Sequence, residues 1–175
     1  MMQKKTLLQD LIGAWLLLTG CLIGGLVFNE IRTAPLSLVY ASPEERLKRS
    51  VEQMGSISNA PIALEGDVGR DEMQNICVNR VALILDARPE IFYRLGHIPS
   101  ALSLPRDNFE KRYQSLLSTL QSHRDKPLVV YCSDNGCHDS QMVADALQKL
   151  GYLHVRLFRG GWSEWDTAGL PEEKE

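Results

Sequence analysis

The segment PLVVYCSDNGCHDS, residues 127–140, opens on a short apolar run, breaks at a cysteine, passes through a polar loop containing glycine, and continues into a helical pattern. A run as apolar as Pro127–Cys132 suits a strand buried on both faces, the situation of a parallel sheet covered by helices on each side. VALILD, residues 81–86, reads the same way. ALSLP (101–105) and HVRLF (154–158) are weaker strand candidates. Helical periodicity lies between them. Phe109, Tyr113, Leu116, Leu117 and Leu120 predict a helix over 108–122, and Met142, Val143, Ala146, Leu147 and Leu150 predict one over 138–150, with Gly151 as its stop. Strands alternating with helices define an α/β fold with a parallel sheet. Ligands of such sheets gather at the carboxyl ends of the strands, where Cys132 falls.

Working outward, Leu11–Phe28 (LIGAWLLLTGCLIGGLVF) holds 18 residues without a charge. In a helix these would span roughly 27 Å, close to a bilayer core. Lys4 and Lys5 precede this run, so the positive-inside rule predicts residues 1–10 in the cytoplasm, a transmembrane anchor over 11–28, and a single-pass membrane protein whose main domain is extracytoplasmic. A cleaved signal peptide stays open as an alternative. So does a lipidated Cys21, because LTGC resembles a lipoprotein processing box. Residues 29–60 read as a linker carrying a short juxtamembrane helix. Ser42, Pro43 and Glu45 form its start, Leu47, Val51 and Met54 its apolar face, and Gly55 its end. The GSISNAP stretch that follows reads as a flexible joint, and the α/β domain is expected over 61–173.

A net charge of −3 with no basic stripe argues against a nucleic-acid partner. The four cysteines form neither a disulfide framework nor a zinc set, so neither a metal nor a cofactor is expected. A cysteine in a strand-to-helix loop has backbone N–H groups and a helix start nearby. These favour the thiolate, and with it nucleophilic chemistry.

The longer pattern carries a resemblance. LILDARPEIFYRLGHIPSALSLP, then VVYC, then GYLHVRLFRGGWSEWDTAGLP are similar, in order, to the rhodanese-like family, over about residues 60–173. The matching positions include Asp86, Arg88, Gly96, His97, Ile98, Pro99, Ala101, Pro105, Cys132, Gly160, Gly161 and Trp165. The anchored layout looks like bacterial membrane-tethered single-domain members. The resemblance implies a rhodanese-like α/β sheet preceded by a transmembrane helix. It also implies a sulfurtransferase in which Cys132 takes a sulfane sulfur as a persulfide and passes it to a thiol acceptor. Donor and acceptor stay unspecified, and a protein partner is open. Asp86, Arg88, Gly96, His97, Gly160, Gly161 and Trp165 are expected to be structural.

The active loop departs from the family pattern. Four residues usually separate the cysteine from a closing arginine. Here six residues, Ser133, Asp134, Asn135, Gly136, Cys137 and His138, precede Asp139, and Ser140 follows it. The loop is longer and lacks its cation. A like charge 4 Å from a thiolate costs about 4 kcal/mol at an effective dielectric near 20, so Asp134 and Asp139 oppose both the thiolate and an anionic donor such as thiosulfate. His138 and Arg159 are the candidate compensating cations, Arg159 as an anion-binding residue. Cys137 adds a second thiol, and a reactive pair with Cys132, a static bridge and two separate thiols all remain open. Two other functions therefore stand beside sulfur transfer: a thiol redox protein using Cys132 and Cys137, and a non-catalytic binding module on the same fold.

Overall fold

The computed structural model describes residues 3–31, 41–55 and 66–175. The chain divides into two compact units, Met1–Tyr40 and Ala41–Glu175. In the first, helix α1 runs over Gln3–Ile31. Its window Ile12–Asn29 has a mean hydropathy of 1.8. It is long and apolar enough to cross a bilayer.

In the second unit, α2 (Pro43–Gln53) starts on the capping box expected from the sequence: Glu45 N donates to Ser42 Oγ at 3.1 Å, and Ser42 N donates to Glu45 Oε2 at 2.9 Å. Then come α3 (Arg70–Asn79), β1 (Leu83–Asp86), α4 (Glu90–Leu95) and β2 (Leu102–Ser103). A 3-10 turn at Arg106–Asn108 leads into α5 (Phe109–Ser115) and α6 (Leu117–Gln121). The chain ends with β3 (Leu128–Tyr131), α7 (Asp139–Lys149), β4 (Val155–Phe158) and α8 (Gly161–Thr167). The sheet is wholly parallel, in the order β2-β1-β3-β4.

The four expected strands are present, each shorter than expected. Alternation along β3 explains its unbroken apolar run. Leu128 and Val130 enter the core under α2, α5, α6 and α7, while Val129 and Tyr131 enter the core under α3, α4 and α8. All four are essentially fully buried, and each apolar side chain so buried contributes about 1.5–3 kcal/mol. The helix expected over 108–122 is instead two short helices, α5 and α6, behind the 3-10 turn. Ser115 is one cause: its hydroxyl donates to the Arg112 carbonyl at 2.7 Å, offering the backbone a local alternative where α5 stops. Helix α2 packs on the domain, with Leu47 and Val51 in the core beside α5 and α7. The GSISNAP joint lies outside the described residues beyond Gly55, which takes a left-handed φ of +82° after α2.

Candidate functional site

Cys132 follows the last residue of the central strand β3 and is 2% exposed. Two backbone bonds from the start of α8 clamp it: Trp162 N donates to Cys132 O and Ser163 N to Ser133 O, both at 2.8 Å. This close approach explains Gly161, the second glycine of the Gly160-Gly161 pair. Gly161 sits at φ +59°, and a Cβ there would lie 2.4 Å from the Cys132 carbonyl oxygen.

The polar loop then doubles back. Asp134 Oδ1 accepts from Gly136 N at 2.8 Å, and Asp134 O accepts from Cys137 N at 3.1 Å. This side-chain-supported turn returns Cys137 to Cys132, with Cα atoms 6.1 Å apart and the two sulfurs bonded as a disulfide. Of the three arrangements left open by the sequence, two separate thiols is therefore corrected: the six-residue loop folds tightly enough to join them. Ser133, Asp134, Asn135, Gly136 and His138 are exposed, Cys137 is half-buried, and Ser140 is buried at the start of α7.

Asp139 opens α7 with its carboxylate beside the disulfide. One of its oxygens and the sulfurs of Cys132 and Cys137 all lie within 4.8 Å of one another. The carboxylate does not stand alone: Arg106 Nη1 donates to Asp139 Oδ1 at 2.5 Å. Burial pushes the Asp139 carboxyl above its usual range, Arg106 draws it down, and Asp107 pushes it up again. His138 does lower the Asp139 carboxyl, but the direct ion pair comes from neither expected residue. Arg159 is held by Asp67, Nε to Oδ2 at 2.8 Å, and bonds Gln141 as well. Arg106 lies after β2, and only the convergence of strand ends in a parallel sheet brings it to the loop. Its signal was its position one residue beyond Pro105.

The remaining motif residues assemble a scaffold. Arg88 Nε and Nη2 grip the Asp86 carboxylate at 2.6–3.0 Å, and Nη2 also donates to Gly96 O at 2.7 Å. Tyr131 donates its hydroxyl to Asp86 Oδ2 at 2.6 Å and accepts from Ile98 N at 3.2 Å. Burial works against the Arg88 charge, yet the Asp86 carboxylate outweighs it and holds the guanidinium above its usual pKa. His97 is buried, stacked on Tyr93, with Nδ1 2.8 Å from the Tyr93 carbonyl, which can only accept, so Nδ1 carries the proton. Trp165 is buried and donates to Pro171 O at 2.8 Å. Cys77 is half-buried, and burial raises its thiol pKa.

Two clefts flank the loop. One, of about 590 Å³, is lined by Asp134, Asn135 and Gly136 facing Arg70, Ser163 and Glu164. The other, of about 380 Å³, brings Ser133 together with Phe92, Leu95 and Trp162, whose ring lies 4.7 Å from the Arg88 guanidinium carbon. Arg70 was missed by the sequence reading, since nothing local distinguishes it.

The sheet order, the clamped Cys132 and the Asp86–Arg88 scaffold define a single α/β domain with a cysteine loop at the carboxyl edge of its sheet. The Rhodanese-like domain family model matches residues 70–168, and this chain belongs to that family. Among solved structures, the rhodanese-like domain of the Alr3790 protein from Anabaena sp. superposes with a TM-score of 0.52 at 24% identity, covering 64% of this chain and 81% of that one. The BH2092 protein of Bacillus halodurans gives 0.54 at 17% identity, covering 76% and 87%. At these identities they share the fold. Escherichia coli tRNA uridine(34) hydroxylase is 36% identical over 52 residues, 30% of this chain. The chain spans only 15% of the length of that relative.

Proposed function

We propose that this protein is a rhodanese-type sulfurtransferase that carries sulfane sulfur on Cys132. The observation that carries the reading is the Cys132 sulfur at the carboxyl end of β3, already engaged in covalent sulfur chemistry with Cys137. In the reduced protein, the Cys132 thiolate attacks the outer sulfur of a persulfide RS–SH. The Cys132–S–SH bond forms, the RS–SH bond breaks, and RS⁻ leaves. An acceptor thiolate then attacks the outer sulfur of Cys132–S–SH and regenerates the Cys132 thiolate.

Electrostatics selects the donor class. The loop itself has no arginine, and Arg106 spends its charge on Asp139. A dianion such as thiosulfate meets little net positive charge, so low-molecular-weight or protein persulfides are the favoured donors. The N-terminal helix is assigned as a single-pass anchor, with residues 61–173 on the extracytoplasmic side, as Lys4 and Lys5 direct. Protease access to intact and opened spheroplasts tests that placement.

Sulfur transfer is tested by reducing the full chain, treating it with glutathione persulfide or thiosulfate, and mapping peptides by mass spectrometry. The expected result, read in Cys137→Ser, which has no second loop thiol to discharge the product, is one added sulfur, about 32 Da, on Cys132 with the persulfide and little with thiosulfate. An adduct on Cys137 in Cys132→Ser together with none in Cys137→Ser moves the carrier to that residue. No adduct from any donor in either reduced variant overturns sulfur transfer and leaves a binding module.

A further inference from the structure

Cys132, Cys137, Asp139 and Arg106 form a set that simple sulfur carriage does not use in full. A carrier needs one thiol. Here the loop returns a second thiol to the first and places a carboxylate within 4.8 Å of both sulfurs. The sulfurs also differ in access: Cys132 is 2% exposed, whereas Cys137 is half-buried at the loop surface. The carboxylate is anchored in turn by Arg106, whose side chain is 23% exposed.

We propose that Cys137 is a resolving thiol that discharges the Cys132 persulfide as hydrosulfide, and that Asp139, positioned by Arg106, accepts the Cys137 proton. This rests on the reading that Cys132 carries the sulfane sulfur. The Cys137 thiol gives its proton to the Asp139 carboxylate. Its sulfur attacks the inner sulfur of Cys132–S–SH, the Cys132–Cys137 bond forms, the inner-to-outer sulfur bond breaks, and HS⁻ leaves with the electron pair. The two cysteine sulfurs are oxidised together by two electrons, and the sulfane sulfur is reduced to sulfide. The product is the disulfide present in the structure. A second turnover needs a thiol reductant, a dithiol or two monothiols. It attacks the accessible Cys137 sulfur and releases Cys132 as the leaving thiolate, ready for the next persulfide. The chain thereby becomes a thiol-driven persulfide reductase.

The half-buried Asp139, with one oxygen beside both sulfurs, suits a proton acceptor. Burial raises its carboxyl pKa, and Arg106 works in the opposite direction. The titratable and charged groups facing it are Arg106 and Asp107 from the turn after β2 and His138 from the loop before it.

The test is a single turnover on the reduced full chain with glutathione persulfide and no added reductant. Wild type is expected to release one hydrosulfide per chain and end with Cys132 and Cys137 bridged. Cys137→Ser is expected to hold the persulfide on Cys132 and to release hydrosulfide roughly tenfold or more slowly. For Asp139→Asn, the release rate is divided by the thiolate fraction found by alkylation at each pH. The variant should then follow its thiolate fraction alone, while wild type outruns its own below neutral pH. Hydrosulfide release undiminished in Cys137→Ser would overturn the resolving role. A normalised pH profile for Asp139→Asn identical to wild type would overturn the proton acceptor. If Cys137→Ser takes up no sulfur on Cys132, the sulfurtransferase reading fails. If it takes up sulfur but wild type forms no bridge, only this inference fails.

Discussion

Two aspartate–arginine pairs sit at the carboxyl edge of the same sheet and perform opposite tasks. Asp86 and Arg88 are 0% and 3% exposed, and nearly every donor and acceptor around them is used, by Tyr131 and by the Gly96 carbonyl. Asp139 and Arg106 are partly exposed and share one short bond, with a disulfide beside the carboxylate. The chemistry of the pairs is the same; burial and saturation differ. A saturated buried pair has no capacity left for a substrate and fixes geometry. A half-open pair with spare capacity beside sulfur can exchange a proton.

The sharpest way to break this contrast is Arg88→Ala. It leaves the Asp86 carboxylate buried without its cation, so denaturant unfolding of the full chain should show a loss of about 3–5 kcal/mol. A loss below about 1 kcal/mol would mean that Asp86 is protonated or solvated in the variant, and the scaffold role would fall.

Next in size is Gly161→Ala, which tests whether the scaffold also sets the loop. The added Cβ meets the Cys132 carbonyl at 2.4 Å, and its backbone sits at a φ of +59°. The expected cost is about 1–3 kcal/mol, with alkylation of reduced Cys132 altered in rate as the clamp shifts. Unchanged stability and reactivity together would show that the α8 clamp gives way freely.

How much of this was legible in the sequence follows from the range of the forces involved. Strand β3 and Cys132 were readable because burial on both faces demands an unbroken apolar run. Helix α2 was readable because its capping box is complete within Ser42–Glu45. The break at Leu116 was not, because a serine hydroxyl inside a helical pattern looks harmless until it bonds the Arg112 carbonyl. Two of the three open arrangements paired Cys132 with Cys137, since spacing permits closure and only the Asp134 turn produces it. Arg106 was marked only by its place after Pro105. It lies 33 residues from Asp139, among many surface cations, and the sequence pointed to His138 and Arg159 instead. Local signals reported the scaffold, and the element that distinguishes the site arrived through tertiary convergence.

A smaller effect sharpens the scaffold side. Ser100 stands at φ +64° in the turn after His97, and its N–H donates to Glu173 Oε2 at 2.9 Å. Ser100→Gly keeps that backbone bond and relieves the left-handed strain, so thermal unfolding should show stabilisation of about 1 kcal/mol. Destabilisation would mean that the lost chain entropy of glycine outweighs the relieved strain.

The smallest effect on stability carries the most information about the site. Arg106→Ala removes a partly exposed pair and should cost no more than about 1 kcal/mol, several-fold less than Arg88→Ala. Its consequence belongs to the thiols. With Arg106 gone, any charge on Asp139 faces the loop uncompensated, and a nearby negative charge disfavours the thiolate. The pH midpoint for alkylation of the reduced cysteines should therefore rise by about one unit. Arg106→Lys, which keeps the charge without the planar fork, should recover most of that shift. A midpoint unmoved in Arg106→Ala would make this pair as purely structural as Asp86–Arg88, and the two ends of the comparison would collapse into one.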